Sequence, residues 1–169
     1  MAVPAVAACQ EGTIARGRPV QDDIRQQVHR LLDQHRIMTV ATLRADGWPQ
    51  ATTVGYANDG LTLYFLCGLD SQKAVNLARD NRLSLTIDHD TPQVMEITGL
   101  SMAARAVPVT EASEGEKALR LLMDKYPEQT SLPLPMPKFA EVRIFRVTPT
   151  VISVLDYSKG FGHTDLITC

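Results

Sequence analysis

The sequence predicts an α+β domain in which about eight short strands close into an antiparallel barrel with helices at its ends and side. Three observations lead there. Strand-length apolar runs are joined by turn residues rather than by helices, with Asp46-Gly47 and Asn58-Asp59-Gly60 the clearest. Only three segments show a helical period. The strands also follow one another as hairpins, without the strand–helix–strand alternation of a parallel sheet.

Residues 1–19 mix Pro, Gly, Ala and charged residues without periodicity. They predict an N-terminal arm ahead of the main domain at 20–157, with 158–169 as a C-terminal tail. After Pro19, the residues Ile24, Val28, Leu31 and Leu32 form one stripe of an amphipathic helix ending near His35. Asp22 and Asp23 are expected in its first turn, where they would complement the helix dipole. Ile37–Ala45 is rich in β-branched residues and reaches Asp46-Gly47, the pair favoured in a type I′ turn. Trp48–Tyr56 returns, with Pro49 tolerated near its start, and Leu61–Cys67 completes a three-stranded meander.

A helix from Ser71 and a strand at Leu83–Asp88 follow. Val94–Leu100 and Ala103–Val109 are expected as two strands, with Gly99 marking a bend or bulge between them. Ser113 and Glu116 have capping-box spacing and introduce a third helix with Leu119, Leu122, Met123 and Tyr126 on one face. The proline-rich Pro127–Pro137 reads as a loop, and Ala140–Val147 and Val151–Tyr157 as strands around Pro149. In the tail, Tyr157, Phe161 and His163 are expected to fold back over the barrel or over the edge of a ligand bound to it, and Trp48 to cover the barrel end.

Of the 169 residues 44% are hydrophobic and 21% charged, with a net charge of −2. This suits one soluble domain and offers no basic field to nucleic acid or an anionic membrane. No apolar run approaches the roughly 20 residues of a membrane span, and the first residues lack the basic start of a secretory signal. Cys9, Cys67 and Cys169 are odd in number, far apart and outside any C-x-x-C spacing. They read as free thiols, and a cytoplasmic protein is expected.

His29, His35, His89 and His163 are isolated and show no metal-ligand spacing, so no metal is expected. There is no G-x-S-x-G elbow and no dinucleotide fingerprint, and no catalytic residue is assigned. One stretch does suggest a ligand. Asp70 or Ser71 can cap the helix that follows the Leu61–Cys67 strand, and Lys73 then lies in its first turn. A cation is unfavourable at that positive end of the dipole. A bound phosphate resolves the conflict by accepting from the free N–H groups, the Ser71 hydroxyl and the Lys73 ammonium together. Thr52 and Thr53, on the neighbouring hairpin strand, carry hydroxyls that could reach the same anion.

The run TVATLRADGWPQATTVGYANDGLTLYFLCGLDSQKAVNLARDNRLSLTI resembles the FMN-binding split barrels of the pyridoxamine 5′-phosphate oxidase superfamily. The shared features are a hairpin with G-x-P, a strand ending beside the cofactor, an S-x-K helix start and an N-containing helix end. The tail GFGHTD looks like that of the general-stress-protein and putative-oxidase branch. The resemblance implies a six- to eight-stranded antiparallel split β-barrel with flanking helices, FMN as cofactor, and a homodimer. By position it places the phosphate on Ser71, Gln72 and Lys73 and a flavin-contacting strand end on Leu66 and Cys67. It also places a phosphate contact at Thr52, the flavin ring along Thr53 and Val54, and a partner-supplied contact at Gln93. Glutamine and threonine stand where the family has cations at 72 and 52, which leaves Lys73 as the charge partner. The late arginine–histidine substrate motif of the vitamin B6 enzyme is absent, so turnover of pyridoxamine phosphate is not expected. Redox chemistry on a small molecule, with a reduced nicotinamide as donor, is the implied activity. The alternatives are a non-catalytic flavin-binding stress-response protein, or a split barrel using deazaflavin or haem.

Overall fold

The computed structural model describes residues 18–127 and 137–169. Eight strands form one antiparallel sheet: β1 (Ile37–Leu43), β2 (Pro49–Gly55), β3 (Ala57–Asp59), β4 (Thr62–Gly68), β5 (Arg82–Asp88), β6 (Thr98–Pro108), β7 (Val142–Asp156) and β8 (Thr164–Thr168). Three α-helices flank it: α1 (Arg18–Gln34), α2 (Gln72–Arg79) and α3 (Ala112–Lys125). Across the sheet the order is β2-β1-β5-β6-β7-β4-β3, with β8 beside β7.

The two ends of that path, β2 and β3, are separated in sequence by Tyr56 alone. The chain therefore passes from one edge of the sheet to the other in a single residue, and the sheet must curl into a split barrel. Tyr56 fixes this corner. It is 0% exposed, its hydroxyl donates to the Leu32 carbonyl at 2.8 Å, and its N–H donates to the Arg36 carbonyl at 3.1 Å. The Lys125 ammonium lies 4.1 Å from the centre of its ring. That ammonium also donates to Asn58 Oδ1 at 2.8 Å, and burial pulls its pKa down to about 8.

Period-two alternation fills the barrel. Met38 and Val40, Leu83, Leu85 and Ile87, Leu100 and Met102, and Ile152 and Val154 point inward, together with Leu63, Phe65 and Cys67 of β4. The stripe on α1 joins them, with Ile24, Val28, Leu31 and Leu32 all buried. A second cluster forms outside β4, where Tyr64 and Ile144 pack against Ala118 of α3.

Several boundaries differ from expectation, each for a local reason. α1 starts at Arg18, so Pro19 sits in its first turn, where a missing N–H costs nothing, and Asp22 and Asp23 fall beyond that turn. The first hairpin is not type I′. Gly47 alone has positive φ (86°), Gly47 N–H donates to Arg44 O, and Arg44 N–H donates to Trp48 O. That is a type I turn closed by a left-handed glycine, the three-residue loop.

Val94–Glu96 forms a 3-10 turn rather than strand, and β6 runs unbroken past Gly99. Gly99 serves a close approach instead, because a Cβ there would stand 2.8 Å from Ile87 O. The bulge lies between Ala103 and Ala104, opposite Thr150, beside Pro149, which has no N–H to give the ladder. β7 likewise continues through Pro149 as one strand.

Ser113 is inside α3, not its cap, since the helix begins at Ala112 after Glu111. The buried face of α3 is Gly115, Ala118 and Leu122, while Met123 is exposed. Trp48 is 71% exposed and covers nothing. The stretch expected as a tail carries β8, and Phe161 is 79% exposed against the Tyr157 ring rather than folded over the barrel. The expected arm, apart from Arg18 and Pro19, and most of the proline-rich loop lie outside the described residues.

Candidate functional site

α2 enters directly after β4. Gly68 O accepts the Ser71 N–H at 3.1 Å, and the Ser71 hydroxyl, not Asp70, caps the helix by accepting from Ala74 N–H at 3.4 Å. Gln72 and Lys73 follow as the first two helical residues. Their backbone N–H groups have no acceptor among the described residues, as expected for a helix start. The half-buried Lys73 side chain has neither hydrogen-bond nor ion-pair partner among the described residues, and no acidic residue shares its turn. Two free N–H groups, a hydroxyl and an unpaired ammonium thus gather at one helix end. This donor set fits an anion such as a phosphate monoester.

A buried polar network holds this helix in place. Asn76, 2% exposed, donates from Nδ2 to Thr42 Oγ1 at 2.9 Å and to Gln50 Oε1 at 3.3 Å. Gln72 Nε2 donates to Asn76 Oδ1 at 2.9 Å, completing that amide's partners. At the far end of α2, Arg79 donates to the Leu43 and Arg44 carbonyls. α2 is therefore tied to the β1–β2 hairpin at its middle and at its C-terminal end. Sequence reasoning missed this network. The available signal was Asn76 lying on the apolar face between Ala74 and Leu77, where a polar residue needs partners.

The other expected residues are distributed as follows. Thr52 lies on the face of β2 shared with Gln50 and Val54, and Thr53 on the opposite, exposed face. Their two hydroxyls consequently point away from each other and do not converge on one anion. Val54 is buried in the barrel core. Leu66 and Cys67 also face opposite ways, Leu66 toward the cluster under α3 and Cys67 into the barrel core. Gln93 is exposed in the loop after β5. α2 feeds the start of β5 and Gln93 follows its end, so within one chain they are separated by the length of that strand, about 20 Å.

On the outside of the sheet, beside the hairpin that anchors α2, lies an open groove of about 460 Å³. Leu43, Pro49, Arg82, Ala103, Arg105 and Thr150 are among its lining residues, and the Ser71–Lys73 segment is not. Arg82 is held by Asp80, and its guanidinium keeps the Asp80 carboxyl well below the usual carboxylate range. Among the described residues no group of three or more His, Cys, Asp or Glu side chains is placed to hold a metal ion, and no helix is long and apolar enough to cross a membrane.

The family model of pyridoxamine 5′-phosphate oxidase matches residues 24–156, from α1 to the end of β7. The chain belongs to this family. No curated protein matches the sequence. Solved structures share the fold of this pyridoxamine 5′-phosphate oxidase relative at low identity. A conserved hypothetical protein of Mycobacterium tuberculosis is 21% identical over 95% of this chain and 96% of its own, with a TM-score of 0.68. A putative pyridoxamine 5′-phosphate oxidase of Listeria innocua is 19% identical over 79% and 98%, with a TM-score of 0.64. A heme binding protein of Mycobacterium smegmatis is 18% identical over 85% of this chain, which spans only 57% of that longer one, with a TM-score of 0.68.

Proposed function

We propose that this family member binds FMN, with the phosphate at the start of α2, and acts as an oxidoreductase on a small molecule. The single observation that carries the reading is Lys73, a cation without a partner among the described residues, in the first turn of a capped helix on a barrel of this family. Ser71, the free N–H groups of Gln72 and Lys73, and the Lys73 ammonium would hold the phosphate. Thr52 would add a phosphate contact, and the β2 backbone at Thr53 and Val54 would border the ring, with Leu66 and Cys67 at the end of β4. Bound there, FMN supplies redox chemistry, with a reduced nicotinamide as electron donor and oxygen or a small acceptor as its end. The chain's own part is to anchor, orient and shield. In this reading the protein is a homodimer in which the partner brings Gln93 to the flavin, since one chain keeps Gln93 a strand's length from α2.

A second reading, haem in place of flavin, is favoured by one observation. A structural neighbour of the same fold is a heme binding protein. An absorbance spectrum of the purified protein, with the released chromophore identified by mass, separates the two. A flavin spectrum bleached by reduced nicotinamide supports the oxidoreductase. An unbleached flavin leaves a flavin-binding protein without that activity, and a Soret band overturns the FMN reading.

A further inference from the structure

The end of α1 and the end of β5 bring together two histidines that are far apart in the sequence. His35 continues the last turn of α1, its N–H donating to the Leu31 carbonyl at 3.3 Å. The next residue, Arg36, accepts the Tyr56 N–H at 3.1 Å, so His35 is set by the same corner that carries the chain from β2 to β3. His89 follows β5 directly, two residues beyond the buried Ile87. Its ring meets the His35 ring with centroids 5.3 Å apart and planes 20° from parallel.

Hydrogen bonding within the chain does not account for this pair. His35 Nε2 is buried and has no partner among the described residues. His89 is exposed, and its ring makes no hydrogen bond or ion pair among the described residues either. A buried imidazole nitrogen left without a partner is costly, and folded proteins rarely leave one without protein, water or an ion against it.

We propose that His35 and His89 together bind a divalent late transition metal of the class of zinc, nickel or copper, between the end of α1 and the segment after β5. The site does not depend on which cofactor the barrel holds.

The ring spacing carries the assignment. A metal–nitrogen bond of about 2.1 Å puts a tetrahedral metal roughly 3.2 Å from each ring centre, so two imidazoles sharing it stand about 5.2 Å apart. The two histidines are at that spacing. Turning a ring about its Cβ–Cγ bond re-aims its nitrogens, and this soft torsion leaves the ring centre nearly in place. His35, set by the corner, is the preset ligand, and the exposed His89 is the one that turns.

No third His, Cys, Asp or Glu joins them among the described residues, so water or a small anion fills the remaining positions. Imidazole nitrogen suits zinc, nickel and copper, whereas magnesium and calcium take oxygen ligands. Two nearby charges act on the pair: Asp88 favours a cation there, and the Lys125 ammonium opposes it. That ammonium is already engaged by the Leu32 carbonyl and by Asn58 Oδ1. A metal held here staples α1 to the segment that carries Gln93.

Zinc titrated into the chelator-treated full chain, followed by calorimetry, tests the proposal. Wild type should bind zinc, and His35→Gln and His89→Gln should each weaken binding at least about tenfold. His29→Gln, a change at an exposed position of α1, should leave the affinity unchanged. Excess magnesium should not displace the zinc. Saturating zinc should raise the melting temperature of wild type and of His29→Gln, but not that of His89→Gln. Should His35→Gln fail to fold, the exposed His89 carries the test alone. A wild type that binds no zinc, or zinc displaced by magnesium, overturns the site. Zinc held as tightly by His89→Gln as by wild type belongs to the thiols of Cys9 or Cys169 and overturns it equally.

Discussion

Asn76 of α2 and Thr42 of β1 are joined by a buried hydrogen bond of 2.9 Å, and through it α2 is registered on the barrel. Replacing Asn76 by Ala removes three hydrogen bonds and leaves the Gln50 and Gln72 amides without that partner. The expected cost is about 1–3 kcal/mol of unfolding free energy, measured by denaturant titration. FMN affinity should fall as well, because the first turn of α2 loses its reference to β2. A variant with unchanged midpoint would show that the network is incidental.

Gly115 touches the Phe139 ring so closely that a Cβ would stand 2.5 Å from it. Gly115→Ala forces α3 away from the 3-10 turn at Phe139–Glu141, and a loss of about 1–3 kcal/mol is expected despite the better helix propensity of alanine. A melting temperature raised by this substitution would contradict the packing described.

The rings of His35 and His89 stack with centroids 5.3 Å apart, and His35 Nε2 is buried without a partner among the described residues. Burial, then the neighbouring His89 and the Lys125 charge, lower the His35 pKa from its ordinary value, with Asp88 opposing. The folded state thus binds fewer protons than the unfolded chain as the pH falls, so stability rises with pH below about 6.5 and levels off above it. Urea midpoints between about pH 5 and 7 should show this slope, and His35→Gln should flatten it. An equal slope in the variant would assign the effect to other groups.

The barrel was legible because its signals are local. The α1 stripe, the glycine turns and the strand alternation each follow from neighbours in sequence, and Ile24, Val28, Leu31 and Leu32 are buried as their spacing requires. Strand ends were less legible, since the continuity of β6 and β7 depends on their pairing with each other across the bulge at Thr150. At the site, Ser71 and Lys73 could be read from their place at a helix start. The opposed faces of Thr52 and Thr53 follow from the pleat once β2 is known. Asn76 on the apolar face signalled a need for partners, but Thr42 and Gln50 themselves could not be read, because they are 34 and 26 residues away.

In the proposed reading Lys73 holds a phosphate. Titration of FMN and of riboflavin into flavin-free wild type and Lys73→Ala tests it most directly, with melting curves of both flavin-free proteins alongside. FMN affinity should drop by about 1.5–3 kcal/mol, the scale of a charge-assisted hydrogen bond. Riboflavin, which lacks the phosphate, should bind both proteins equally. The flavin-free variant should be as stable as wild type or slightly more so, since an unfavourable charge–dipole contact is gone. FMN affinity that survives the substitution while riboflavin affinity falls would contradict the account.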